Sequence, residues 1–285
     1  MSFLDKNLSP IEGEPILFSH IVDNPRQYGY SFHTHSFVEI YLFVRGDVDF
    51  ILKDRYVNLH SGDVLIIGEN AVHRPIIKSA ALYERYFFGI PKTAFDCMRP
   101  GQMPFASLNN DCRLISSSGE IKDRITALFG RIGELLEQPD FHSEYYAFSF
   151  LLQLLYTLDK AANIGNADST ETMPPKAVRD ALAFLEENSS GVNSVGEIAD
   201  ALHLNRSYLS TLFSETTHVS LKQYLTAKKI SDAKRMLTTG ATISSIAYDL
   251  GFATSSHFIA VFKKITGQTP GEYRRNAEKI EMSVM

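Results

Sequence analysis

The sequence predicts an α+β protein of two domains: an N-terminal β-barrel with a helical hairpin, and a C-terminal all-α domain with two helix-turn-helix units. Three observations carry this. Residues 14–90 alternate short β-branched and aromatic runs with turn residues. From 119 onward apolar residues recur at helical spacing. In the last hundred residues one helix–turn–helix pattern occurs twice. A chain of 285 residues favours two domains. The expected boundaries are 1–162 for the barrel and hairpin, 163–175 for a linker, and 176–285 for the helical domain.

The strand runs come first. Phe32 to Val44, Val48 to Leu52, Val57-Asn58-Leu59, Val64 to Ile67 and Leu82 to Ile90 read as strands, punctuated by Gly46-Asp47 and Ser61-Gly62-Asp63. Many short strands with regular turns suggest a barrel or sandwich. The hairpin follows, at about 119–160. Ile121, Ile125, Leu128, Ile132 and Leu135 make an apolar seam, Gln138-Pro139-Asp140 breaks it, and Phe148, Leu151, Leu152, Leu155 and Leu158 mark the second helix. Such a seam serves equally to pack the hairpin on the barrel or to form a dimer interface. The stretch NIGNADSTETMPP is polar and ends in two prolines, as a linker does.

In the repeat, Ile198-Ala199-x-x-Leu202 matches Ile246-Ala247-x-x-Leu250, and Leu209-x-x-x-Phe213 matches Phe258-x-x-x-Phe262. Ser194 with Glu197 has capping-box spacing; Asn205, Thr242 and Thr254 are further N-cap candidates, and Gly251 closes a helix. Ser220 to Thr238 reads as one helix between the units, about 28 Å long at 1.5 Å per residue. A strut of that length suits two helices entering successive major grooves, about 34 Å apart. One unit alone is no more than a capped helical bundle; two at a matched offset point to double-stranded DNA.

Composition sets limits. Net charge is −5, but from Lys176 onward there are 13 Lys and Arg against 11 Asp and Glu, so the helical domain is slightly basic and the rest acidic. Cys97 and Cys112 form no CxxC pair, which argues against a zinc finger or thiol redox site. The N-terminus lacks a basic start followed by an apolar run, and no stretch of 18 apolar residues occurs, so a cytoplasmic protein with no membrane contact is expected.

The stretch GFATSSHFIAVFKKITGQTPGEYRR resembles the signature of AraC-type regulators, keeping Gly251, Phe252, Phe258, Phe262, Lys263, Gly267, Pro270, Tyr273 and Arg274. The resemblance covers about Ala177 to Arg275. It implies seven helices with two recognition helices, regulation of promoters (activation preferred), a homodimer, contact with RNA polymerase, and no enzyme activity. Recognition helices read bases with their outward N-terminal residues. The DNA-binding candidates are therefore Arg206, Ser207, Tyr208, Ser210, Thr211, Ser255, Ser256, His257, Lys263 and Lys264. Two departures stand out: His218 sits where the family has glycine, and Ala260 where longer polar side chains are common.

His33-x-His35-x-x-x-Glu39, Gly46, Gly62-Asp63 and His73 resemble the two cupin motifs, with Gly68 where proline is usual. His33, His35, Phe37, Glu39, Tyr41 and Phe43 alternate and so share one face, into the barrel; Val38, Ile40, Leu42 and Val44 face out. The ligand-binding candidates are His33, His35, Glu39, Tyr41 and His73. An aromatic cavity with imidazole and carboxylate groups suits a small-molecule effector such as a carbohydrate, with no cofactor. The alternatives are a divalent metal on His33, His35, Glu39 and His73, which is what the cupin resemblance implies, as in a metal sensor or a metal-dependent cupin enzyme, or residues with no ligand at all.

Overall fold

The computed structural model describes residues 2–8, 15–24, 32–53, 55–91, 94, 112–137, 140, 142–164 and 174–275. The first half contains β1 (Ser2–Leu8), β2 (Ile16–Asp23), β3 (Val38–Arg45), β4 (Val48–Leu52), β5 (Arg55–Asn58), β6 (Val64–Ile67), β7 (His73–Ile77), β8 (Tyr83–Ile90) and β9 (Arg113–Ile115). These form a six-stranded sheet, β1-β2-β8-β3-β6-β9, and a three-stranded sheet, β5-β4-β7, with antiparallel pairing throughout. The two sheets face each other as an open barrel rather than one closed hydrogen-bonded sheet; an isolated bridge joins His33 to His73.

Period-two alternation sorts the side chains. Tyr41, Phe43, Phe50, Leu52, Leu65, Ile67 and Tyr83 fill the space between the sheets. Val38, Ile40, Leu42, Val64, Ile66, Phe88 and Ile90 face outward, where α1 (Gly119–Glu137) and α2 (Ser143–Ile164) cover them. The helical hairpin is thus packed on the sheet. Ile125, Leu128 and Ile132 of the expected seam are buried there, with Phe129 and Leu136 beside them, while Ile121 and Leu135 are half-buried. Gln138 and Pro139 of the expected break lie outside the described residues.

The strand expected over Phe32 to Val44 begins only at Val38. Before it, among the described residues, the chain makes only the isolated bridge of His33 with His73. The His35 ring bonds the Phe37 carbonyl, and Asn70 N–H bonds the His35 carbonyl, in place of ladder bonds. The sequence reading had no signal for β1, which pairs antiparallel with β2, or for the short β9.

The second half contains α3 (Lys176–Asn188), α4 (Val195–Ala201), α5 (Arg206–Thr217), α6 (Leu221–Thr238), α7 (Ile243–Asp249), α8 (Ser255–Thr266) and a further helix over 270–275. The stretch expected as a linker falls mostly on residues outside those described. The expected caps are in place: Ser194 accepts from Glu197 N–H, Asn205 from Ser207 and Tyr208, Thr242 from Ser245, and Thr254 from His257. The Glu197 carboxylate takes Asn193 N–H instead of the cap residue's own. Ser220 and Gln223 form a reciprocal capping box at the start of α6. Among the described residues no helix is long and apolar enough to cross a membrane.

Candidate functional site

All five ligand-binding candidates, His33, His35, Glu39, Tyr41 and His73, line one cavity of about 200 Å³ between the sheets. Ile21, Phe37, Phe50, Pro75, Tyr83, Arg85 and Phe87 complete it. Sequence reasoning did not single out Tyr83 or Phe87, although Tyr83, Arg85 and Phe87 alternate along β8 as the β3 residues do. The cavity has two polar ends. At one, the Tyr41 and Tyr83 hydroxyls hydrogen-bond each other. Arg85 lies over the Tyr83 ring, 4.2 Å from its centroid, and pairs with Asp23 at 3.4 Å. Burial holds the Tyr41 hydroxyl well above its ordinary pKa, so it stays protonated.

At the other end His35, Glu39 and His73 converge. His35 Nδ1 lies 2.9 Å from the Phe37 carbonyl, and His73 Nδ1 lies 2.9 Å from the Ala71 carbonyl. A carbonyl accepts only, so each Nδ1 carries the proton and each Nε2 is turned inward. His35 Nε2 is 2.6 Å from Glu39 Oε2, within hydrogen-bonding distance. His73 Nε2 is 3.4 Å from the same oxygen, is buried, and has no hydrogen-bond partner among the described residues. Burial pushes His35 below its ordinary pKa, and the two imidazoles hold Glu39 well below the usual carboxylate range despite its burial. An anionic oxygen and two anchored Nε2 atoms, one of them an orphan, fit the donor set of a divalent transition metal. Of the four residues considered for a metal, three come together; His33 is outside that group, its ring packed 4.1 Å from that of His73.

Of the three arginines near the cupin motifs, only Arg85 reaches this cavity. Arg45 pairs with Glu84 at 2.7 Å, and Arg74 points away, toward α5.

In the helical half, α4–α5 and α7–α8 are the two helix-turn-helix units, joined by α6, whose 18 residues span about 27 Å. Gly251, with φ +66°, closes α7 where a Cβ would lie 1.7 Å from Asn193 Oδ1. Asn193 precedes α4 and also accepts from Lys229 Nζ at 3.1 Å. The two units are therefore clamped to each other and to the strut. Arg206, Ser207, Tyr208, Thr211, Ser256, His257, Lys263 and Lys264 are exposed; Ser210 and Ser255 are half-buried. Leu209, Phe213, Phe258 and Phe262 are buried behind them.

A family model described as an AraC-like ligand binding domain matches residues 16–155, and one described as a helix-turn-helix domain matches residues 198–276. Both units of the molecule are thus accounted for, in the order expected. The chain belongs to the AraC family. Among its relatives is the arabinose operon regulatory protein of Escherichia coli, 30% identical over 154 residues, 53% of this chain and 51% of that protein. The melibiose operon regulatory protein of the same organism is 31% identical over 99 residues, 34% of this chain and 33% of the relative. The raffinose operon transcriptional regulatory protein RafR of Pediococcus pentosaceus is 35% identical over 97 residues, 34% and 35% of the two chains. The chain spans about a third to a half of the length of these curated relatives.

Both departures from the AraC pattern have a structural place. His218 adopts the left-handed conformation, φ +55°, that closes α5, the role Gly267 plays for α8. Ala260 is exposed on α8, leaving that face short of polar atoms. One feature had no sequence signal. Lys228, Lys229 and Lys234 are buried on α6, bonded to Glu186, Asn193 and Thr34, so these cations serve packing rather than phosphate contact.

Proposed function

We propose that this chain is a sequence-specific DNA-binding transcription regulator, an activator, controlled by a small-molecule effector held in the β-domain cavity. The observation that carries the DNA half is the pair of helix-turn-helix units, joined by the 18-residue α6, with exposed residues on α5 and α8. Arg206 reads a base or holds a phosphate, Ser207, Ser210 and Thr211 flank it, and Lys263 and Lys264 meet the backbone. The effector we favour is a carbohydrate. The cavity of about 200 Å³ is monosaccharide-sized, offers Phe37, Phe50 and Phe87 as apolar walls, and carries hydrogen-bonding groups at both ends. The relatives named for arabinose, melibiose and raffinose operons support that class. The working form is a homodimer recruiting RNA polymerase, with contact through the outer face of α2, where Tyr145, Tyr146, Leu152 and Tyr156 are exposed. The domain limits 1–162 and 176–285 belong to the same proposal.

The test combines a thermal-shift screen of arabinose, melibiose, raffinose and their component sugars with gel-shift titration on the DNA upstream of the chain's own gene. Glu39→Ala should abolish the sugar-induced shift and keep DNA binding. A sugar response untouched in Glu39→Ala removes the cavity as the effector site.

The orphaned His73 Nε2 favours a second reading: His35, Glu39 and His73 hold a divalent transition metal, which would serve as effector or draw the sugar's hydroxyls to it. Calorimetric titration with Zn²⁺ decides. Binding takes both imidazoles in the neutral form, so affinity should rise with pH. A silent titration with His73→Gln and wild type alike removes the metal.

A further inference from the structure

The helices α5 and α8 share one register. The buried Leu209 and Phe213 of α5 stand where the buried Phe258 and Phe262 stand in α8. Counted from those anchors, Ser207 answers to Ser256 and Thr211 to Ala260, and all four are exposed. Residues four apart on a helix lie one above the other. Each helix therefore presents an outward stripe that begins with a serine in its first turn and continues with a short side chain one turn later. On either side of that pair the helices differ. Arg206 opens α5 where Ser255 opens α8, and in the third turn Glu215 of α5 answers to Lys264 of α8.

A helix set in the major groove meets base edges with its N-terminal part, where these two stripes lie. Their chemistry narrows what they read. Ala260 has a methyl group as its whole side chain, and Thr211 carries one beside its hydroxyl; neither has the amide or guanidinium that pairs with a purine edge. Base edges in that groove show acceptors and amino donors, and thymine alone adds an apolar group, its 5-methyl. A methyl group pressed on a donor or acceptor strips its water and gives nothing back. Pressed on another methyl group, it removes apolar surface from water on both partners. The serines at 207 and 256 are short enough to let each helix approach to that contact.

We propose that Thr211 and Ala260 are thymine-reading residues: each sets its methyl group against the 5-methyl group of a thymine in the major groove, so that one bound chain selects two thymines about one helical turn, about 10 base pairs, apart. The assignment rests on the proposed DNA-binding function and adds to it a base and a spacing. It also ranks the two helices. In α5 the methyl contact is backed by Arg206, whereas α8 has no counterpart of that arginine and depends on Ala260 for its selectivity.

The experiment uses the full chain. Duplexes that it binds are recovered from a random-sequence pool, and each thymine of the recovered site is replaced singly by deoxyuridine, which keeps the base pair and removes only the methyl group. Affinities are read by fluorescence anisotropy. With wild type, two replacements per bound chain should each weaken binding about fourfold, the worth of one buried methylene-sized group, and they should lie about 10 base pairs apart. Thr211→Ser, which deletes a methyl group and keeps the hydroxyl, should abolish the penalty at one of the two positions and leave the other. Ala260→Gly should do the reverse. Thr211→Val, which keeps a methyl group, should keep both penalties. Each comparison sets two duplexes against the same variant, so any loss of folding stability cancels. A wild type indifferent to every replacement would overturn the assignment and leave DNA binding intact. So would penalties that Thr211→Ser and Ala260→Gly do not change, or two sensitive thymines about five base pairs apart, on opposite faces of the duplex. Recovery of no sequence bound better than random DNA would remove the assignment and the DNA-binding function together.

Discussion

The two helix-turn-helix units share a pattern and differ in what stands behind them. In α4–α5 the buried Leu209 and Phe213 belong to a cluster that includes Phe32, Ile51, Val72 and Ile76 of the β-domain. In α7–α8 the buried Phe258 and Phe262 belong to a cluster made wholly of the helical half, with Ile230, Leu237, Ile246 and Tyr273. The first unit is closed by His218 and held by Arg74; the second is closed by Gly267. A repeated sequence has thus produced one unit answerable to the β-domain and one that stands on its own core.

The strongest way to break that comparison is to hollow each core in turn. Phe213→Ala and Phe258→Ala should each cost about 3–5 kcal/mol in chemical denaturation. Phe213→Ala should also speed hydrogen exchange at residues 72–76 of the β-domain, and Phe258→Ala should not. Equal effects on the β-domain would show that the units are not distinct. Next is the clamp between them. Gly251→Ala puts a side chain at a left-handed φ and displaces the Asn193 side chain, and should lower stability by about 1–2 kcal/mol and loosen DNA binding at both units together. Binding loss confined to the α8 half-site would deny the clamp.

On DNA, Arg206→Ala should weaken promoter affinity by about 1–3 kcal/mol, whereas Ser256→Ala should cost less than about 1 kcal/mol, because α8 beside Ala260 offers short side chains. Gel-shift titrations with the reverse order would assign base reading to α8. Acid probes the buried cavity of the β-domain. His35 and Glu39 are both depressed in the folded state. Their contribution is complete above the unfolded values, about 6.5 for histidine and 4.3 for glutamate, and is lost as pH falls through the folded ones. Thermal melts should show the β-domain weakening below pH 6.5 by at most about 1.4 kcal/mol per pH unit per group, and His35→Gln should flatten the upper part of that slope. The smallest effect concerns the helix ends. Gly267→Ala should destabilise by about 1 kcal/mol, and His218→Gly should stabilise by up to about 1 kcal/mol, since nothing but φ opposes a side chain at 267 and nothing but φ is relieved at 218.

The legibility of the chain follows the range of its interactions. Ser194, Asn205, Thr242 and Thr254 cap through neighbours two or three residues away, so the helical half was readable almost residue by residue. The alternation of His35, Glu39 and Tyr41 against Ile40 and Leu42 placed the cavity-facing side correctly, even though β3 starts later than its composition suggests. What escaped were the contacts between the β-domain and the helical half. Lys234 and Thr34 meet across 200 residues, and Arg74 and Thr217 across 143. A lysine on a helix reads as a solvated charge until the tertiary fold covers it. The helix α6 is packed against both units and the β-domain, and Lys228, Lys229 and Lys234 are covered with it.

The fit of Asn193 against Gly251 has one more consequence. Two heads bolted side by side cannot follow a duplex that twists beneath them, so the reading frame of the target is rigid. Slipping about five base pairs between its two parts would carry one part to the far side of the double helix, and slipping about ten would restore the face but leave it one turn beyond the fixed span. The protein, on this account, measures not only letters but the gap between them.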